Sequence, residues 1–262
     1  MQFDQEGWLN EARRRETGNR STARNSRRVV VLHYTAGYDL DSAVDHFLNT
    51  NAERKASAHF VVDVDGDIVQ MVSTQEVSWH AGRGVYRGQS GGFNGKSIGI
   101  EIVNPGYHFR RTDGTYENWR RQPVSAARLA PFPGMTEATD PWVSSNPVFW
   151  PNFPSPQIEA VENLVRELLA TYPSIEDIVS HRDVDPIQKL RVDPGRAFPM
   201  RHIRMLLADP EGNRDPAAGR VAVSATSVLF VRGGPGTGFD KLDWGRLRRD
   251  DARFDRGAGR AD

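Results

Sequence analysis

The first sustained apolar run is Val29-Val30-Val31-Leu32-His33, a β-branched stretch that predicts a buried strand. Beyond it Ala43, Val44, Phe47 and Leu48 recur at helical spacing, and Asp39 or Asp41 is placed to cap that helix. Residues 59–64 and 68–72 alternate around Asp65-Gly66, the signature of a hairpin. Residues 97–103 form another strand, with Ile98, Ile100 and Ile102 on one face and Ser97, Gly99 and Glu101 on the other. Ile158, Val161, Leu164, Val165, Leu168 and Leu169 mark a long amphipathic helix opened by Ser155-Pro156. A strand at 178–181 and a final helix carrying Met200, Ile203, Leu206 and Leu207 complete the pattern. Strands alternating with helices predict an α/β domain over 28–208, a mixed central sheet flanked by helices.

Three stretches break the pattern. Residues 1–27 are polar and rich in arginine and read as a solvated arm, with Trp8 and Leu9 as its only anchors. Residues 105–156 hold nine of the sixteen prolines and three of the six tryptophans with little periodicity. They read as an irregular insertion whose aromatics lie beside a cleft. Residues 209–262 contain a strand-like run, Val228 to Val231, followed by glycines. They partly resemble a bacterial SH3-like wall-binding domain, with an unstructured end after Arg246.

Lys plus Arg and Asp plus Glu are both 34, so no basic excess points to a nucleic acid. No apolar run approaches the length of a membrane span, and the polar N-terminus lacks a secretory pattern. The expectation is a monomer without membrane or nucleic-acid partners, cytoplasmic as synthesised and released or delivered to its target by other means. There is no cysteine, so disulfides and thiolate metal sites are excluded, and a metal needs His, Asp or Glu.

His33 and His181 each end an apolar strand, at the sheet edge where open α/β folds bind ligands. Asp193, in a loop stiffened by Pro194-Gly195, is placed to be a third ligand, leaving one position for water. Taken singly, each also reads as an ordinary hydrogen-bonded residue; together they favour a zinc site. Glu101, a carboxylate on a central strand, is costly there unless paired or used, and suits a general base.

His33-Tyr34-Thr35-Ala36-Gly37, Ser57-Ala58-His59-Phe60, Trp79-His80-Ala81-Gly82, Ser97 to Glu101, Ser180-His181-Arg182-Asp183 and Asp193-Pro194-Gly195 occur in a telling order. The chain resembles the zinc-dependent type-2 N-acetylmuramoyl-L-alanine amidases, relatives of phage T7 lysozyme and peptidoglycan recognition proteins, over residues 28–207. The resemblance implies a hydrolase cleaving the amide between N-acetylmuramic acid and L-alanine in peptidoglycan or muropeptides. It implies Zn2+ on His33, His181 and Asp193, and Glu101 as catalytic acid–base. His80, Tyr34 and Asn104 are expected to contact substrate. The family's lysine two positions before the aspartate is Arg191 here, with Lys189 as the alternative cation. His59 reads as structural and His46 as solvated, while His108 and His202 carry no pattern. A non-catalytic peptidoglycan-binding module and a zinc peptidase acting within the stem peptide are the rival readings. Wall recycling, a phage lysin and a delivered toxin all fit an enzyme without a signal.

Overall fold

A computed structural model describes residues 1–53, 55–185 and 189–209, and the backbone of 222–223, 229–231 and 240–241. The chain divides into two compact units, Met1–Gly212 and Asn213–Asp262.

In the first unit the strands of the two larger sheets are β1 (Arg13–Arg14), β2 (Val29–Tyr34), β3 (Phe60–Val62), β4 (Ile68–Gln70), β5 (Ser97–Ile102), β6 (His108–Arg110), β7 (Tyr116–Asn118), β8 (Pro123–Val124), β9 (Met135–Asp140), β10 (Ser144–Pro151) and β11 (Asp177–Ser180). The helices that matter are α1 (Leu40–Leu48), α2 (Ser155–Thr171) and α3 (Met200–Met205). The central sheet runs β1-β4-β3-β5-β2-β11. Its pairings are parallel except the β3–β4 hairpin, so it is the mixed sheet expected. The hairpin turns at Gly66, whose φ of +94° a side chain would strain.

Strand alternation assigns the two faces. Ile98, Ile100 and Ile102 of β5, with Val30 and Leu32 of β2, pack beneath Val161, Leu164, Val165 and Leu168 of α2 and Ile203 of α3. Each such side chain contributes roughly 1.5–3 kcal/mol when fully buried. On the opposite face α1 covers Val61 and Val69 with Leu40, Ala43, Val44 and Phe47, and Asp39 caps the helix by accepting from the Ser42 amide. Ser97, Gly99 and Glu101 share this second face with His33, because β2 and β5 run in register with His33 beside Glu101.

The N-terminal arm is not a solvated lead-in. β1 extends the central sheet, Arg20–Ser21 pairs with Val77–Ser78, and Trp8, Leu9, Thr17, Asn19 and Asn25 are buried. Its polarity misleads because polar side chains of both arm and body tie the two together. Thr17 Oγ1 donates to the Phe47 carbonyl at 2.5 Å, and Gln70 Nε2 donates to the Gly7 carbonyl at 2.8 Å.

The expected irregular insertion is likewise ordered. It forms a five-stranded antiparallel sheet, β8-β7-β6-β10-β9. The strands are short and interrupted by prolines, and the sheet leaves Trp119 exposed, so no clean period-2 pattern marks it.

In the second unit the described backbone forms a three-stranded antiparallel sheet of Ala222–Val223, Leu229–Val231 and Asp240–Lys241. The middle strand falls on the run read from the sequence. The glycine turn after it and the unstructured end after Arg246 lie outside the described residues.

Candidate metal centre

Both predicted histidines stand at the carboxyl edge of the parallel strands. His33 is the fifth residue of β2, and His181 opens a 3-10 turn directly after β11, capped by Ser180 and Asp183. The loop after it carries Asp193, joined to Pro194 by a cis peptide bond.

These three side chains meet. His33 Nδ1 lies 2.8 Å from His181 Nδ1 and 3.0 Å from Asp193 Oδ2, and His181 Nδ1 lies 2.9 Å from the same oxygen. All three residues are buried, and among the described residues they are the one group of three or more His, Asp or Glu that converges in this way. Burial opposes a charged imidazole, and His181 beside it adds to the effect, so the His33 pKa is lowered to about 4. Burial would raise the Asp193 carboxyl, but the adjoining imidazoles, His181 foremost, hold it below the usual carboxylate range. Neutral imidazoles and an ionised carboxylate are the protonation states that bind a divalent metal. Two nitrogen donors and one oxygen donor that converge in this way suit zinc, and the donor set passes that test.

Glu101 adjoins His33 in register on the same face. Its Oε2 is enclosed and makes no hydrogen bond among the described residues. Burial pushes its pKa well above the ordinary value, the Asp193 carboxylate adds to the rise, and Arg191 opposes it. A half-buried carboxylate with an unpartnered oxygen, beside a metal cradle, can accept and return a proton.

Of the two candidate cations, Arg191 is the one whose charge reaches Glu101. Its charge also reaches His33, whereas Lys189 points toward the Trp142 ring at 6.0 Å. Asp185 shapes this loop by accepting from the amides of Leu190 at 3.1 Å and Arg191 at 3.2 Å.

The three expected substrate contacts fare differently. Tyr34 stays at the centre: burial raises its phenol pKa well above the ordinary value, with Asp193 and Glu101 contributing, so the hydroxyl keeps its proton. Its ring fits because Gly106 has no side chain; a Cβ there would lie 2.7 Å from the ring. Asn104 is a correction. It is buried, its Nδ2 donates to the Pro151 carbonyl at 3.0 Å, and its Oδ1 accepts from the Gly106 amide at 3.0 Å, so its amide is consumed by the fold. His80 is a second correction. Its Nδ1 faces His33 Nε2 at 2.9 Å and its Nε2 faces Ser97 Oγ at 3.1 Å, which leaves no ring nitrogen for substrate.

The other histidines match expectation in part. His59 is buried and structural, with its pKa lowered to about 4 by burial, and His46 is exposed. His108, for which the sequence offered no role, is buried between Tyr38 and the Gly106 carbonyl. His202 pairs with Glu162 on the far side of the molecule.

One residue escaped the sequence reading. Asp140, at the end of β9 and 1% exposed, accepts from Arg182 Nη1 at 2.6 Å, Arg196 Nε at 2.8 Å and the Trp142 amide at 3.0 Å. Arg182 follows His181 directly, and Arg196 lies three positions past Asp193. One carboxylate thus ties the inserted sheet to the turn that carries His181 and to the loop that carries Asp193. Trp150 of β10 presses on the same loop at Gly195, where a Cβ would meet its ring at 2.6 Å. No spacing signal in the sequence announces Asp140, because its arginine partners lie 42 and 56 residues away.

The sequence matches a family model described as N-acetylmuramoyl-L-alanine amidase over residues 23–196. It is 29% identical over 184 residues to the N-acetylmuramoyl-L-alanine amidase AmiD of Escherichia coli, covering 67% of this chain and 51% of that protein. It is 27% identical over 170 residues to the 1,6-anhydro-N-acetylmuramyl-L-alanine amidase AmpD of Salmonella typhimurium, covering 64% of this chain and 66% of that protein. The chain therefore spans about half the length of the first relative and about two thirds of the second. A solved structure of a selenomethionine AmpD derivative superposes with a TM-score of 0.55 at 22% identity, covering 79% of this chain and 99% of that one, and shares the fold.

Proposed function

The chain belongs to the N-acetylmuramoyl-L-alanine amidase family, and from that membership we propose that it hydrolyses the amide between the lactyl carbonyl of N-acetylmuramic acid and L-alanine. The substrate is peptidoglycan or the muropeptides cut from it. The observation that carries this reading is the meeting of His33, His181 and Asp193 on the same sheet face as the unpartnered carboxylate of Glu101.

His33, His181 and Asp193 would hold Zn2+, which supplies Lewis acidity, lowering the pKa of water toward ~7 and polarising a carbonyl. Glu101 accepts the proton of the attacking water and returns it to the departing alanine nitrogen. Its raised pKa matches it to both directions of transfer. Arg191 faces the negative charge that develops on the carbonyl oxygen. A guanidinium holds its own proton, so that contribution is electrostatic alone. Tyr34, protonated and free of hydrogen bonds to the described residues, serves as a donor toward the substrate.

The test is to incubate the purified chain with intact peptidoglycan and with soluble muropeptides and to weigh the products. Intact stem peptides with a new amino group on L-alanine, released from intact glycan, are expected. Fragments cut inside the stem would indicate a peptidase, and binding without products would indicate a recognition module. Either outcome overturns the proposal.

A further inference from the structure

His80 was expected to touch substrate, yet it sits behind a metal ligand. Its ring meets that of His33 edge to face, with centroids 5.1 Å apart at 86°. The space it fills exists because residue 99 is glycine. A Cβ there would lie 2.4 Å from His80 Cγ and 2.5 Å from its Nδ1. A ring held this closely cannot give way as the end of a flexible side chain would.

The hydrogen bonds run from a group whose role is fixed. The Phe93 carbonyl only accepts, so the Ser97 hydroxyl, 2.6 Å away, donates to it. Ser97 has then spent its proton, and its contact with His80 Nε2 at 3.1 Å requires the imidazole to donate. A neutral His80 with its proton on Nε2 carries a lone pair on Nδ1. That lone pair accepts from His33 Nε2 at 2.9 Å. His33 therefore carries its proton on Nε2, and its Nδ1 lone pair points at His181 and Asp193. The opposite assignment sets two lone pairs against each other between Ser97 and His80.

We propose that His80 is a positioning residue which, oriented by Ser97 against the Phe93 carbonyl, fixes the tautomer and angle of His33 so that Nδ1 is presented to the metal. The inference rests on the reading of His33 as a ligand. A ligating imidazole commonly donates its second nitrogen to a carboxylate or carbonyl. Here the acceptor is a second imidazole, and a serine supplies the direction.

Nitrogen-15 NMR of the histidine rings in the full chain, stripped of metal and then titrated with Zn2+, reads the proton positions. His33 and His80 are expected to be protonated on Nε2 and bare on Nδ1 before titration. A proton on His80 Nδ1 overturns the relay. Competition of Zn2+ against a chromophoric chelator supplies the second readout. His80→Ala should weaken zinc about 10- to 100-fold, and Ser97→Ala about tenfold, with Ser97→Thr restoring affinity by keeping the hydroxyl. Undiminished affinity in a folded Ser97→Ala also overturns the relay, and if that variant does not fold, the wild-type ring spectrum decides alone. A wild-type chain that binds no zinc would sink the metal reading instead.

Discussion

Two buried histidine clusters lie side by side in this protein, and they are built on opposite plans. His59 has both ring nitrogens satisfied by the fold. Its Nδ1 accepts from the Gly99 amide at 3.0 Å and from Ser78 Oγ at 2.8 Å, and its Nε2 donates to the Glu76 carbonyl at 3.1 Å. His33 is satisfied on one side only, and its other nitrogen meets a second imidazole nitrogen and a carboxylate oxygen. The first plan is complete without a ligand. The second brings three donors of metal-binding type together and leaves them facing one another. Burial alone does not separate the two, since both rings have pKa values lowered to about 4. What separates them is whether the protein supplies the partners.

That contrast can be broken at its centre. Glu101→Gln should keep the metal and lower turnover about 10²- to 10⁴-fold, as loss of a general acid–base does; steady-state kinetics beside metal analysis checks both halves. A buried carboxyl with a raised pKa binds its proton more tightly in the folded state, so the metal-free protein loses stability as pH rises past the ordinary carboxylate range. Melting curves against pH should show that loss in the wild type and not in Glu101→Gln.

Next in size is the clamp. Asp140→Ala leaves Arg182 and Arg196 without their shared partner and should cost about 1–3 kcal/mol in denaturant unfolding. Zinc affinity should fall with it, because both ligand loops lose the same tether. His59→Ala, by contrast, should cost about 1–3 kcal/mol for each buried group left unpaired, while the zinc stoichiometry of the folded fraction is unchanged.

The pH dependence sharpens the same contrast. His59 protonates at 6.5 when unfolded and at about 4 when folded, so the unfolded state binds more protons between those values. Stability contributed by a neutral buried His59 is present above 6.5 and lost as pH falls toward 4. Acid titration of the unfolding free energy should show this window in the wild type and a smaller fall in a His59→Gln variant. The smallest effect expected is at the exposed cation: Arg191→Ala should lower turnover less than Glu101→Gln does, and Lys189→Ala should leave it unchanged, as parallel assays of the two will tell.

The three residues of the cradle were legible because each sits at a strand end or beside a Pro-Gly turn, where local pattern fixes position. Glu101 was legible because a carboxylate among alternating isoleucines is conspicuous. The central sheet and its helices followed from periodicities of two and 3.6. The N-terminal arm was not legible, since Thr17, Asn19 and Gln70 hold it by long-range polar bonds that leave no periodic trace, and the 105–151 sheet was not, since prolines interrupt its strands. His80 and Asn104 show a second limit. Their residue types suit substrate contact, and only the coordinates reveal that Ser97, His33, Pro151 and Gly106 already occupy their polar atoms.

The three-residue cradle is what the hydrolase reading rests on. Titrating the metal-stripped chain with Zn2+ by calorimetry, alongside His33→Ala and His46→Ala, addresses it directly. One equivalent should bind to the wild type and to His46→Ala, and none with comparable affinity to His33→Ala. Equal binding by all three, or none by the wild type, would contradict it.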